Sequence, residues 1–314
     1  MKKFTNKKNK FVGQRLDKFL VTVIDDISRS RIQKLIDAGK ILINDQSSKS
    51  SYILRENDIL SVGDTIEKKQ VLTKHKLDLE VLYEDKDIIV INKPAGVIVH
   101  PLDGGKYNGE SIVNALLSKI DKGVGTSLRP GVVHRLDKNT SGILFIAKTK
   151  KGYDSLISQF KKRTIGKAYQ ALVVGRFKDK EGIIDAPIAR SQNQRLRMRV
   201  YYGVGAKEAI SQYKVLEEYT FGKYDLSLVE VKIKTGRTHQ IRVHMSAISH
   251  PVVGDSIYGN KDVNSLFVRK LGLFRQFLHS YQVSFKPVSA KKEVVLKTKL
   301  PRDLEGVIEK LNKA

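Results

Sequence analysis

The chain has 314 residues, 40% of them hydrophobic, with 58 Lys and Arg against 33 Asp and Glu for a formal net charge of +25. The length fits one large domain with a small one, or two of middling size, and the apolar content excludes global disorder. The lack of cysteine excludes disulfides, thiolate metal sites and a Cys nucleophile, while the charge proposes a polyanionic partner, nucleic acid first, and no particular chemistry.

Residues 1–11 carry five lysines and little that could pack, which predicts a disordered basic arm. No apolar h-region follows it, and runs such as IIVI at 88–91 and ILFIA at 143–147 are too short to span a bilayer. A cytoplasmic protein is the expectation. Leu16, Phe19, Leu20, Val23 and Ile24 then form the stripe of an amphipathic helix. Ser28 can cap a second helix with Ile32, Leu35 and Ile36 on its buried face, stopped at Gly39. Arg29, Arg31 and Lys34 lie on the other side of that helix. A strand over 41–44 and further short strands to about residue 72 complete the segment 12–72.

This pattern resembles the RNA-binding module first seen in small-subunit ribosomal protein four, an S4-type domain. The matching residues are Arg15-Leu16-Asp17-Lys18-Phe19-Leu20, Ser28-Arg29-Ser30 through Ile36, and Gly39-Lys40-Ile41 with Asn44. The resemblance implies that the second helix, with Arg29, Arg31 and Lys34, and the hairpin after it face RNA. Residues 1–72 hold 15 Lys and Arg against 9 Asp and Glu, a net of +6, which leaves +19 for the remainder. The larger part of the chain is therefore expected to grip polyanion as well.

Thr73 to Glu80 is polar and reads as a linker to a domain over 81–314. There, strand-like runs at 88–92, 97–100, 143–149, 167–174, 225–233 and 281–285 alternate irregularly with helical stretches near 111–120, 152–162 and 239–249. The segment 213–233 reads as a hairpin turning at Phe221-Gly222-Lys223. Strands that do not keep step with crossover helices predict an α+β fold, with a mixed, largely antiparallel central sheet flanked by helices.

Phosphate-loop, dinucleotide and nucleophile-elbow signatures are all missing from the sequence. His239 and His244 are five apart, off the spacing at which two ligands share a helix face. The most loaded stretch is Gly131-Val132-Val133-His134-Arg135-Leu136-Asp137-Lys138-Asn139-Thr140-Ser141-Gly142, a polar turn between two apolar strands. A carboxylate between Arg135 and Lys138 should be held ionised. On that ground alone it could serve as nucleophile, general base or electrostatic stabiliser, or be a surface ion pair.

His134 to Gly142 resembles the signature of RluA/RluD-type pseudouridine synthases. Three further segments match in order: Ile91-Asn92-Lys93-Pro94-Ala95-Gly96 with His100-Pro101; Lys167-Ala168-Tyr169-Gln170-Ala171-Leu172-Val173; and Thr235-Gly236-Arg237-Thr238-His239-Gln240-Ile241-Arg242-Val243-His244-Met245, followed by His250-Pro251 and Gly254-Asp255. The similarity spans roughly residues 81–290. It departs from the common pattern only at Asn139 and Ser141, where the family often has a second acidic residue or Thr.

The resemblance implies an isomerase that needs neither cofactor nor metal. Asp137 would be the aspartate that attacks the target nucleotide, so that the uracil detaches, rotates and rejoins through carbon. Tyr169 would lie against the flipped base and take part in proton transfer, and Arg242 would pair with Asp137. Arg135 would enter the RNA helix and displace the base. Leu278, in Phe277-Leu278-His279-Ser280, would pack in the site, and His134, His239 and Gln240 would support its loops. The partner implied is RNA, with no DNA or membrane expected, and a monomer suffices. Large-subunit (23S) ribosomal RNA is favoured because S4-type domains often accompany that substrate. Transfer RNA, or a catalytically silent RNA-binding assembly factor, are the alternatives.

Overall fold

The computed structural model describes residues 2–5, 11–24, 27, 29–63, 72–101, 111–127, 129–192, 194, 197–290 and 292–313. The chain divides into two compact units: the described residues of 1–74, 100–109 and 126–129, and the remainder from His75 onward.

The smaller unit contains β1 (Lys2–Thr5), α1 (Leu16–Val23), α2 (Arg29–Asp37), β2 (Ile41–Ile43), β3 (Gln46–Ser47) and β4 (Ile59–Val62), its sheet ordered β1-β4-β2-β3. The expected stripe is its core: Leu16, Phe19 and Leu20 pack with Ile32, Ile36, Ile41, Leu54 and Leu60. Gly39 ends α2 at a φ of +65°. One reading changes here. Lys2–Thr5 is a strand in antiparallel register with Ile59–Val62 rather than an unstructured arm, because ladder hydrogen bonds come from the backbone and need no apolar side chains. The Ser28 cap and residues 6–10 lie outside the described residues.

The larger unit begins with β5 (Glu80–Glu84), β6 (Ile88–Lys93) and α3 (Ile112–Leu116); next in the chain are the two-residue strands β7 (Gly125–Thr126) and β8 (Arg129–Pro130), of which Thr126 and Arg129 fall in the smaller unit. Next come β9 (Ser141–Ala147), α4 (Lys150–Lys162), β10 (Gly166–Val174), β11 (Glu181–Asp185), β12 (Ile188–Arg190), β13 (Met198–Val200), β14 (Ile210–Phe221) and β15 (Tyr224–Ile233). After α5 (Gln240–Ala247) and α6 (Lys261–Leu271), β16 (Leu278–Phe285), β17 (Val294–Lys297) and α7 (Arg302–Leu311) complete it. A mixed sheet runs β11-β14-β15-β10-β16-β9-β6-β5, with β17 against β16. Every pairing in it is antiparallel except β16 with β9.

Side-chain alternation divides this sheet's residues between its two faces, where they join three core clusters. Ile89, Ile91, Leu144, Ile146, Tyr169 and Val231 pack with Ile112 of α3 and Ile241 and Met245 of α5. Ile88, Val90, Ile143 and Phe145 pack with Leu156 of α4, while Leu172, Leu226 and Leu228 pack with α6 and α7. Helices therefore cover both faces, and strands buried on both sides read as the continuous apolar runs seen in the sequence.

The stretch expected as a linker is only partly one. Leu77 and Leu79 pack against the main core, and the His75 amide donates to the carbonyl of Asn114. The expected strand at 97–100 is instead a single parallel bridge between Ile98 and Ser111, since a short apolar run does not show whether it has a ladder partner.

One row crosses five strands: Val231 of β15, Tyr169 of β10, Ser280 of β16, Gly142 of β9 and Lys93 of β6. Gly142 has a φ of +114°, and a Cβ there would stand 2.2 Å from the Ser280 carbonyl oxygen. Only glycine lets β9 and β16 approach at this point. Gly142→Ala is expected to cost at least about 3 kcal/mol, read as a lowered denaturant midpoint; an unchanged midpoint would show that the strands can part without loss.

Candidate active site

The parallel start of β9 and β16 sets the site. The loop that carries Asp137 feeds β9 while Leu278 opens β16, so both arrive at one end of the central strands, and Tyr169 enters from the neighbouring β10. These residues line a cleft of about 480 Å³ together with Arg135, His239 and Arg242, a size that holds a small ligand. Asp137, Tyr169, Arg242, Arg135 and Leu278 thus come together as the motif order implied.

Asp137 is one-fifth exposed, and its Oδ2 accepts from Arg242 Nη1 at 2.9 Å. The partner cation comes from α5, 105 residues along the chain. Arg242 is itself buried and donates from Nε and Nη2 to the two oxygens of Asp255 at 2.6 and 2.8 Å. Burial opposes its charge, but Asp255 and then Asp137 outweigh that and raise its pKa. Asp255 balances likewise: burial pushes its carboxyl up, while Arg242 and the amides of Ile257 and Tyr258 bring it below its ordinary value. A fork held on one side by a buried carboxylate has a single orientation left for its third nitrogen, and that nitrogen points at Asp137.

The backbone of the Asp137 loop is held from several directions. Lys93 is fully buried, and its Nζ donates to the carbonyls of Pro94, Val97 and Lys138 at 2.6, 2.9 and 3.1 Å. Burial pulls its pKa down to about 7. The Gly96 amide donates to the same Lys138 carbonyl, Arg275 Nη1 donates to the carbonyl of Asn139 at 3.0 Å, and Gln276 Nε2 donates to Thr140 Oγ1 at 3.2 Å. The other side of Arg275 is bound to Asp303 at the start of α7.

Tyr169 is 6% exposed, and burial pushes its phenol up to about 12, so it keeps its proton through the physiological range. His134 accepts from the Phe145 amide through Nε2 at 2.9 Å, and its ring packs against Phe145 and Phe160. Burial drives its pKa to about 3, which leaves it a neutral acceptor. His239 opens α5 at a φ of +56° with Nδ1 2.9 Å from the Tyr258 hydroxyl, and its Nε2 lies 3.8 Å from Asp137 Oδ2. Burial lowers its pKa as well. Gln240 spends its whole amide on Thr235, Arg237, Ile210 and Ser211. All three are engaged with the backbone or side chains of the surrounding loops.

Residue-by-residue reading gave no role to Asp255, Lys93, Arg275 or Tyr258. Gly254-Asp255 and Asn92-Lys93-Pro94 stand in motif-bearing segments, the one signal that could have drawn attention to them. In the smaller unit, Lys34 is exposed on α2, as the RNA-facing reading asks, and Arg31 is half-buried on the same helix. Arg29 differs from a purely solvent-facing cation. Its Nε and Nη2 donate to Asp17 Oδ2 at 3.0 and 2.8 Å, and Asp17, which is buried, also accepts from Arg15 and Gln33. Those partners, Arg15 foremost, hold the Asp17 carboxyl far below its ordinary value.

A solvent-reached carboxylate aimed by a buried arginine into a cation-lined cleft is the apparatus of an enzyme that acts on a polyanion. Residues 87–247 match the RNA pseudouridylate synthase family and residues 14–60 match the S4 domain. A Bacillus subtilis (strain 168) protein called "Uncharacterized RNA pseudouridine synthase YlyB" is 35% identical over 96% of this chain and 95% of its own length. The "Ribosomal large subunit pseudouridine synthase D" of Zymomonas mobilis subsp. mobilis is 35% identical over 96% of this chain and 94% of its own. Among solved structures, "Human RNA Pseudouridylate Synthase Domain Containing 4" superposes with a TM-score of 0.58 at 28% identity, covering 74% of this chain and 93% of that one. The chain belongs to the RNA pseudouridylate synthase family: it is an RNA pseudouridine synthase, an enzyme that isomerises uridine, with an N-terminal S4 domain. No helix among the described residues is long and apolar enough to cross a membrane.

Proposed function

We propose that this enzyme isomerises specific uridines of structured RNA in the large ribosomal subunit, with Asp137 as the attacking group. The observation that carries the reading is the chain Asp255–Arg242–Asp137, which aims one carboxylate into a cleft faced by Tyr169 and Leu278. The large-subunit assignment draws support from the S4 domain and from relatives named for that activity.

The reaction conserves composition. The N1–C1′ bond of uridine breaks, a C5–C1′ bond forms, the proton at C5 leaves and N1 regains one. Attack by the Asp137 carboxylate would form a C–O bond to the nucleotide and pass its negative charge to the uracil; that bond breaks again before the product leaves, which returns the carboxylate to its pairing with Arg242. The Tyr169 phenol, protonated below about pH 12, offers a face for the detached uracil and a proton for hydrogen bonding. Arg135, exposed on the cleft wall, can stack in the place of the flipped base and offset part of the few kcal/mol that unstacking costs.

The deciding experiment maps pseudouridines in ribosomal and transfer RNA from cells with and without the gene. Large-subunit positions that vanish and return on complementation support the reading; loss confined to transfer RNA sinks the ribosomal assignment. Affinity for RNA should also fall by powers of ten between about 50 and 200 mM salt if six or more phosphates are contacted. A flat response would contradict the role given to the +25 charge.

A further inference from the structure

One half-buried cation in the cleft has no part in the chemistry above. Lys167 is the second residue of β10, two before Tyr169, and its half-buried side chain runs past the end of α4. Its Nζ lies 5.4 Å from the centre of the Phe160 ring, and a Cβ at Gly236 would stand 3.7 Å from it. No carboxylate among the described residues pairs with it, and the charge that acts on it, the Arg237 guanidinium, repels it.

The surroundings repeat that sign. Arg135, Lys161, Arg163, Lys234 and Arg237 line the same cleft. Of these, Arg163 is neutralised by Glu208, and Arg237 Nε is turned onto the Glu208 carbonyl at 2.9 Å. A half-buried ammonium among like charges costs stability unless a ligand supplies the missing anion. Metal ions are repelled from such a place. The uracil ring is neutral and needs no cluster of cations, whereas the formal charge of RNA resides on its phosphodiesters.

We propose that Lys167 is a phosphate ligand, binding the backbone phosphate next to the uridine that enters the cleft. This rests on the RNA-modifying reading above. Burial first, and Arg237 second, bring its pKa from 10.5 down to about 8. The charge is present below that pH and is lost as pH rises through it, so RNA binding weakens between pH 7 and 9. The other groups facing Lys167 do not titrate in that window: His134 is neutral, with a pKa of about 3, Tyr169 holds its proton to about 12, and the arginines stay charged.

The test compares wild type, Lys167→Gln and Lys167→Arg on two probes, a 12-nucleotide oligouridine and an unmodified large-subunit ribosomal RNA transcript. Lys167→Gln should raise Kd about tenfold at pH 7 and flatten the slope of log affinity against log salt by about one. It should also remove the weakening centred near pH 8, with single-turnover rate at saturating RNA within about threefold of wild type. Lys167→Arg should restore the slope and lack that weakening near pH 8. An unchanged slope in Lys167→Gln overturns the proposal, whether the saturated rate falls, which would place Lys167 at the base, or affinity falls alone, which would make it structural. If wild type leaves the ribosomal transcript unmodified while the oligouridine slope still depends on Lys167, the substrate assignment fails and the phosphate ligand stands.

Discussion

Asp137→Asn should abolish pseudouridine formation, lowering the single-turnover rate on the order of 10⁴-fold or more, while RNA affinity stays within about threefold of wild type. The amide keeps the shape of the side chain and an oxygen to accept from Arg242 Nη1, so the 2.9 Å contact has a neutral counterpart. What it lacks is the negative charge that attacks carbon. The fold should not suffer, because Arg242 remains bound through two nitrogens to Asp255, and a melting temperature within a few degrees of wild type is expected. Measurable turnover by the purified variant would remove Asp137 from the reaction. Equal loss of activity and of RNA binding would place it in recognition instead.

Arg242→Met should fail on both counts, stability and rate. The arginine is 4% exposed and Asp255 is 1% exposed, so truncation leaves a buried carboxylate whose remaining donors are the Ile257 and Tyr258 amides. Breaking one side of a buried pair costs about 3–5 kcal/mol, which for a unit of this size lowers the melting temperature by roughly 6–20 °C. Loss of the donor on Asp137 should reduce the rate by a further 10²–10³-fold, about what one preorganised charge-stabilising donor contributes. The double variant Arg242→Met/Asp255→Leu separates the two effects. Burying no charge, it should recover most of the stability and none of the activity. Recovery of both would mean that Arg242 only keeps Asp255 company, and a single variant with unchanged melting would deny the buried pair any weight.

The pH behaviour of the fold follows from the same carboxylate. Asp255 titrates below its ordinary value once Arg242 and two amides have outweighed burial. Its stabilisation is present above the unfolded carboxylate pKa and is lost as pH falls through the lower folded one. Asp17 contributes in the same direction in the smaller unit, where Arg15 leads the groups that keep it ionised.

Sequence alone determined the parts of this enzyme that are local. The stripe Leu16, Phe19, Leu20, the apolar runs that became β6, β9, β10 and β15, and the turn at Gly222-Lys223 are all written in neighbouring residues, because periodicity and turn chemistry act over a few positions. Asp137, Tyr169 and Arg242 are legible through the resemblance of their contiguous motifs to the family, not through periodicity or turn chemistry. The tertiary structure decided what distant segments do to one another. The run at 97–100 found a single bridge instead of a ladder, and four residues of a lysine-rich arm found an open strand to pair with. Asp255 acquired its importance by meeting Arg242, Lys93 by lying under the Lys138 carbonyl, and Lys167 by standing among charges of its own sign. Burial, desolvation and the direction of a hydrogen bond depend on which atoms surround a group, and that is settled only when strands far apart in the chain, such as β9 and β16, come into register.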